Sequence, residues 1–74
     1  MTAQSYKILN YLKEHEGAAT AKEIAEALGM EKRRVDSYFS AAIAGAGLGE
    51  RDQSVTPSIL RLNSEGMNFT QEEN

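Results

Sequence analysis

Residues 20–35 read TAKEIAEALGMEKRRV, and this stretch decides the fold. It parses as two short helices joined by a tight turn. Ala25, Gly29 and Val35 stand at offsets 0, 4 and 10. Two helices that cross steeply need a small residue at the crossing, a glycine in the turn and a β-branched anchor in the second helix. The boundaries agree with this. Thr20 with Glu23 three residues on forms a capping box, each side chain satisfying the other's backbone donor. Ile24, Ala27 and Leu28 supply the buried face of the first helix, over residues 20–28. Gly29 takes the left-handed conformation that stops it. Met30 and Val35 suit a hydrophobic staple around Glu31 as N-cap, although glutamate caps poorly.

The flanks extend the pattern in both directions. Upstream, residues 4–15 predict a helix with Ser5, Ile8, Leu9 and Leu12 on one stripe and Tyr6 and Tyr11 beside it. Gly17 ends this helix, and His15 stands in its last turn, where a cation suits the helix dipole. Ala18 and Ala19 form a brief extended link, long enough for a single bridge. Downstream, the second helix of the pair runs over residues 31–44. At about 100° per residue, Val35, Tyr38, Phe39, Ala42 and Ile43 face inward. The outer face carries Arg33, Ser37, Ser40 and Ala44, flanked by Arg34, Asp36 and Ala41.

Gly45, Gly47 and Gly49 then loosen the chain, and the period changes. Residues 48–52 and 58–62 read as two strands of a hairpin, with Leu60 and Leu62 inward and Arg61 outward. The loop QSVTP holds Pro57, which lacks an N–H and belongs at the tip or edge. Residues 63–66 close the hairpin, and Met67 and Phe69 fold back on the first helix. The expected architecture is α+β: a three-helix bundle followed by a C-terminal β-hairpin. One domain covers residues 1–69, and residues 70–74 form a disordered tail. There is no internal repeat or low-complexity tract.

Composition narrows the function classes. The 74 residues include no cysteine, which excludes a disulfide framework, a zinc knuckle and thiol chemistry, and fits a reducing cytoplasm. The apolar runs are too short to span a membrane, and the N-terminal MTAQSYK lacks the apolar core of a signal peptide. With one histidine and no glycine-rich phosphate loop, no catalytic constellation can be assigned, so no enzymatic activity and no cofactor are expected. AGAGLG follows a helix rather than opening one. His15 between Glu14 and Glu16 is a helix-end histidine rather than a metal ligand, because consecutive helical residues point apart. Eight Lys or Arg against eleven Asp or Glu give a net charge of −3, which is unlike a generic nucleic-acid coat. The cations are nevertheless clustered: Lys32, Arg33 and Arg34 are consecutive.

ILNYL in the first helix, TAKEIAEALGM in the second, KRRVDSYF in the third and LRLNSEG at the end of the hairpin resemble the winged helix-turn-helix family of small DNA-binding domains. The resemblance covers roughly residues 5–66 and implies a small transcriptional regulator or accessory protein bound to double-stranded DNA. In that family the third helix enters the major groove and the hairpin, or wing, touches the backbone. The resemblance thus implies Arg33, Ser37 and Ser40 near bases, with Lys32, Arg34, Arg51 and Arg61 near phosphates. The Zα domains, which bind left-handed nucleic acid, are similar in layout through ATAKEIAEALGMEKRRV and Thr56-Pro57. Asp36 and Ser40 stand where those domains carry their contacting asparagine and tyrosine, and Leu60 where they carry an aromatic residue. Conversion of alternating CG duplex to the left-handed form is therefore not expected.

Each candidate residue has a plainer reading. A cationic cluster at a helix N-terminus opposes the dipole, so Lys32–Arg34 needs a reason such as phosphate contact; otherwise it is a solvated helix start. Arg51 and Arg61 could equally balance Glu50 and Asp52. Asp36 could accept from a cytosine amino group, but pairing with Arg33 is the simpler expectation. The alternative function is a protein–protein adaptor without nucleic acid. Acidic residues interrupting the positive strip across the third helix and the hairpin would favour it. Tyr6, Tyr11, Met67 and Phe69 could form a homodimer seam through the first helix, or pack within one chain.

Overall fold

Thr2 and Thr20 open the first two helices by the same means. Each side-chain oxygen accepts from a backbone N–H three residues on, at Ser5 (3.2 Å) and at Glu23 (3.1 Å). In the computed structural model, which describes residues 1–70, these caps begin α1 (Ala3–Glu14) and α2 (Ala21–Leu28). Glu23 accepts in turn from the Thr20 N–H at 3.2 Å, completing the capping box. Gly29 ends α2 at φ 66° and ψ 35°, a left-handed conformation that costs a residue with a Cβ about 1–2 kcal/mol. The chain then starts α3 (Lys32–Tyr38) at Glu31, whose side chain makes no capping bond.

The remaining elements are β1 (Ala18–Thr20), a π-helical segment (Phe39–Ala44), β2 (Gly49–Asp52), β3 (Ile59–Leu62) and α4 (Ser64–Asn68). The fold is α+β, with an antiparallel three-stranded sheet in the order β1–β3–β2. Its registers set Ala19 opposite Leu60 and Arg51 opposite Leu60 on the other side. The link before α2 is therefore a full strand rather than a single bridge. Thr56-Pro57 is a cis peptide in the β2–β3 connection.

The core joins every layer. Ile8, Leu9 and Leu12 from α1, Ile24 from α2, Val35, Phe39 and Ile43 from the third helix and Leu60 from β3 all have no exposed surface. On α2 the buried set is Ala21, Ile24 and Ala25, with Leu28 half-buried. That is an i, i+3, i+4, i+7 stripe, so Ala27 falls on the far side and is exposed, contrary to expectation. At the C-terminal side, Asn63 caps α4 by accepting from the Gly66 N–H at 2.9 Å. Phe69 then returns to α1: its ring meets Tyr6 edge-on at 6.3 Å, and its carbonyl accepts from Lys13 Nζ at 2.7 Å. Met67 remains 36% exposed. The tail expected at residues 70–74 lies, apart from Thr70, outside the described residues.

The helix expected over residues 31–44 is continuous but changes type at Phe39. In its second half the bonding is i→i+5: the Gly45 N–H donates to the Ser40 carbonyl at 3.0 Å. Each such turn takes up one more residue than an α-turn, so the outer face slips around the axis. Ala44, expected to point outward, is half-buried, while Ala41 is exposed.

Candidate functional site

Alternation along the hairpin sorts its two arginines. Residues directly opposite one another on paired strands share a face. Arg51 is opposite the buried Leu60, and Glu50 is opposite Arg61. Arg51 and Arg61 therefore lie on opposite faces of the hairpin, not on one phosphate-facing surface. Arg61 stays on the outer face, where its Nε donates to Asp52 Oδ2 at 3.2 Å. Arg51 turns toward α3, and its Nη1 donates to Asp36 Oδ1 at 2.8 Å. Its Nη2 reaches the Ser40 hydroxyl at 3.4 Å.

Asp36 is the centre of this arrangement. Its second oxygen accepts from Lys32 Nζ at 3.1 Å, the four-residue spacing that neighbours on a helix allow. The expected pairing with Arg33 does not occur; Arg33 Nε donates to Glu31 at 2.9 Å instead. Lys32 lies one full turn before Asp36 on the side that faces the hairpin, and Arg33 is rotated away. Burial alone would raise the Asp36 carboxyl. The hydrogen bonds from Arg51 and Lys32, and the charges of both, outweigh it and hold its pKa below the ordinary 3.8. Asp52 is also lowered, first by the hydroxyl and backbone N–H of Ser54 and then by Arg61.

A groove runs between the start of α2, the start of α3 and the hairpin, lined by Thr20, Lys22, Lys32, Asp36, Arg51 and Ser58 among others. Three cations from three elements converge here. Lys22 was not among the sequence candidates. The signal for it was available: a lysine in the first turn of α2 opposes the dipole as the Lys32–Arg34 cluster does. Ser37 and Ser40 are exposed on the same helix.

Arg34 is set apart. It lines a second groove with Gln4, Met30, Glu31 and Tyr38, toward α1, and it forms no ion pair among the described residues. The structure thus brings Lys32, Ser40 and Arg51 together. It leaves Arg33 and Ser37 on the adjoining helix face, and it places Arg34 and Arg61 elsewhere. Carboxylates interrupt the strip at Glu31, Asp36 and Asp52.

The aromatic residues of α1 are engaged within the chain. Tyr6 meets Phe69, and Tyr11 stacks on His15 with ring centroids 3.9 Å apart. His15 Nδ1–H donates to the Tyr11 carbonyl at 2.7 Å, which fixes it as a helix-end residue. No helix among the described residues is long and apolar enough to cross a membrane. Compared with known proteins, the chain matches no family model, no curated protein and no solved structure.

Proposed function

We propose that the chain is a winged-helix domain that binds duplex DNA. The third helix would lie in the major groove and the β2–β3 hairpin along the backbone. One observation carries this reading: Lys22, Lys32 and Arg51, from three separate elements, converge on one groove. That groove lies beside an exposed helix face bearing Arg33, Ser37 and Ser40. Short hydroxyl side chains let a helix approach a groove floor closely, and cations at its edge supply phosphate contacts.

The internal ion pairs do not forbid this. Arg33 and Glu31 are 82% and 60% exposed in their pair. Exposed pairs of this kind contribute about 0–1 kcal/mol, so a phosphate can replace the carboxylate partner at little cost. With about three to five phosphate contacts, counterion release gives a log–log salt slope of roughly −3 to −4.5. Titration of random duplex at several salt concentrations measures it.

A second reading has its own observation. Glu31, Asp36 and Asp52 already occupy cations on the helix and hairpin, as in a surface built for a protein partner. If no duplex binds at low salt, the adaptor reading replaces the DNA reading.

The two kinds of DNA contact are separable. Arg33→Ala is expected to reduce sequence preference, because Arg33 stands on the outward helix face with Ser37. Lys22→Ala is expected to weaken all sequences alike, as loss of a phosphate contact does. Competition assays on preferred and random duplexes distinguish these outcomes. Equal, sequence-blind losses from both variants would reduce Arg33 to a phosphate contact.

A further inference from the structure

A carboxylate at the junction of helix and hairpin is out of place in a surface meant for a polyanion. We propose that Asp36 is a positioning residue that limits affinity. It holds the Arg51 guanidinium and the Lys32 ammonium against α3, so a polyanion must draw both cations off one carboxylate before using them. The inference rests on the reading of this groove as a DNA site.

Three observations support it. Both Asp36 oxygens are used, one for each cation, and the cations come from different elements. The Asp36 and Arg51 side chains are 27% and 26% exposed, so their pair sits in a lower dielectric than the Arg33–Glu31 pair, at 82% and 60%, and its attraction is the stronger. Arg51 also reaches Ser40 one turn further along the helix, so Asp36 and Ser40 together set the guanidinium across the helix face. Generic duplex binding scales with the number of cations free to replace counterions. A carboxylate that withholds two of them lowers affinity for any duplex that offers phosphates alone. A site that also satisfies the exposed helix face can still recover the exchange. Asp36 thereby trades general affinity for discrimination.

Asparagine in place of Asp36 keeps an oxygen acceptor for Arg51 and removes the charge, so Asp36→Asn is the direct probe. Fluorescence anisotropy with a random duplex is measured across a salt series. The proteins are the natural chain, Asp36→Asn, Asp36→Ala and the double variant Asp36→Asn/Arg51→Ala, each checked for helicity by circular dichroism. Asp36→Asn is expected to bind about tenfold tighter at low salt, the size of one unit-charge repulsion removed at a few ångströms in water. Its salt slope is expected to steepen by about 0.9–1.8 as one or two cations become available. Asp36→Ala moves the same way, and the double variant loses most of the gain. A change in slope is a readout that a purely structural role for Asp36 would not produce. If the natural chain binds and the folded Asp36 variants bind no better, with unchanged slope, this inference is overturned while the DNA reading stands. If none of the four proteins binds duplex at low salt, the DNA reading itself fails and this inference falls with it.

Discussion

Phe39→Ala is expected to remove about 3–5 kcal/mol of stability, the usual cost of truncating a buried phenylalanine. For a chain of this length the whole stability is about 4–11 kcal/mol, so the variant loses a large share of it and unfolds outright if the total lies at the low end of that range. The effect is large because of where Phe39 stands. It has no exposed surface and sits at the joint between α3 and the π-helical segment, with its N–H donating to the Val35 and Asp36 carbonyls. It belongs to the cluster that includes Ile8, Leu12, Ile24 and Leu60. A cavity there undermines the helix that carries Lys32, Asp36 and Ser40. Urea denaturation followed by far-ultraviolet circular dichroism measures the loss. A loss below about 1.5 kcal/mol would mean that the neighbours collapse into the space, and that the core does not depend on this ring.

The second large effect is expected at Gly66. A Cβ there would collide with the backbone carbonyl of Leu48, a group already accepting from the Asn63 N–H at 3.0 Å. Backbone cannot swing aside as a side-chain end can, so Gly66→Ala is expected to cost about 1–3 kcal/mol or more as overpacking. It should also pull α4 away from the hairpin base. Gly29→Ala is the control. Its Cβ would meet nothing within 4 Å, so its cost reduces to the left-handed φ, about 1–2 kcal/mol. Amide exchange of residues 62–69 separates the two: faster exchange is expected in the Gly66 variant and not in the Gly29 variant. Equal exchange in both would show that α4 is not seated by this close approach.

What could be read from the chain was what local rules govern. The Thr20–Glu23 box, the Gly29 stop and the Ser5–Ile8–Leu9–Leu12 stripe depend on residues within one turn of each other, and all appear in the structure. The Leu60–Arg61 alternation is of the same kind. The π-helical segment was not legible, because its buried residues Phe39 and Ile43 are four apart and share a face in either an α-helix or a π-helix. The third strand was legible only as an extended link with room for one bridge: Ala18–Thr20 is too short to show a period, and its partner lies far along the chain.

The site followed the same division. That Lys32–Arg34 was a special cluster could be seen from the dipole argument. Which cation meets which carboxylate could not, since Asp36 chooses between Arg33, Lys32 and a strand residue fifteen positions away. The opposite facing of Arg51 and Arg61 follows from strand register, which only the folded hairpin fixes. Lys22 was overlooked for a different reason. The dipole argument applies to a single lysine at the start of α2 as well, but only the folded hairpin, which lines one groove with Lys22 and Arg51, shows what that lysine is for.

The position of β3 in the sheet also bears on how the molecule is made. β1 and β2 pair with β3 and not with each other, so neither has a strand partner until residues 59–62 have been synthesised. A nascent chain that has emerged only as far as Pro57 can form its helical turns, whose contacts are local, but it holds no sheet at all. Leu60, which fills the core beneath both strands, arrives in the same step. The β2–β3 hairpin is local, but the β1–β3 pairing joins residues far apart in the chain and is slow to close. Residues 59–62 therefore govern when the segments before them complete their sheet and core. Until they arrive, Ile8, Leu12 and Ile24 lack one wall of their core, and the start of the chain depends for its order on its end.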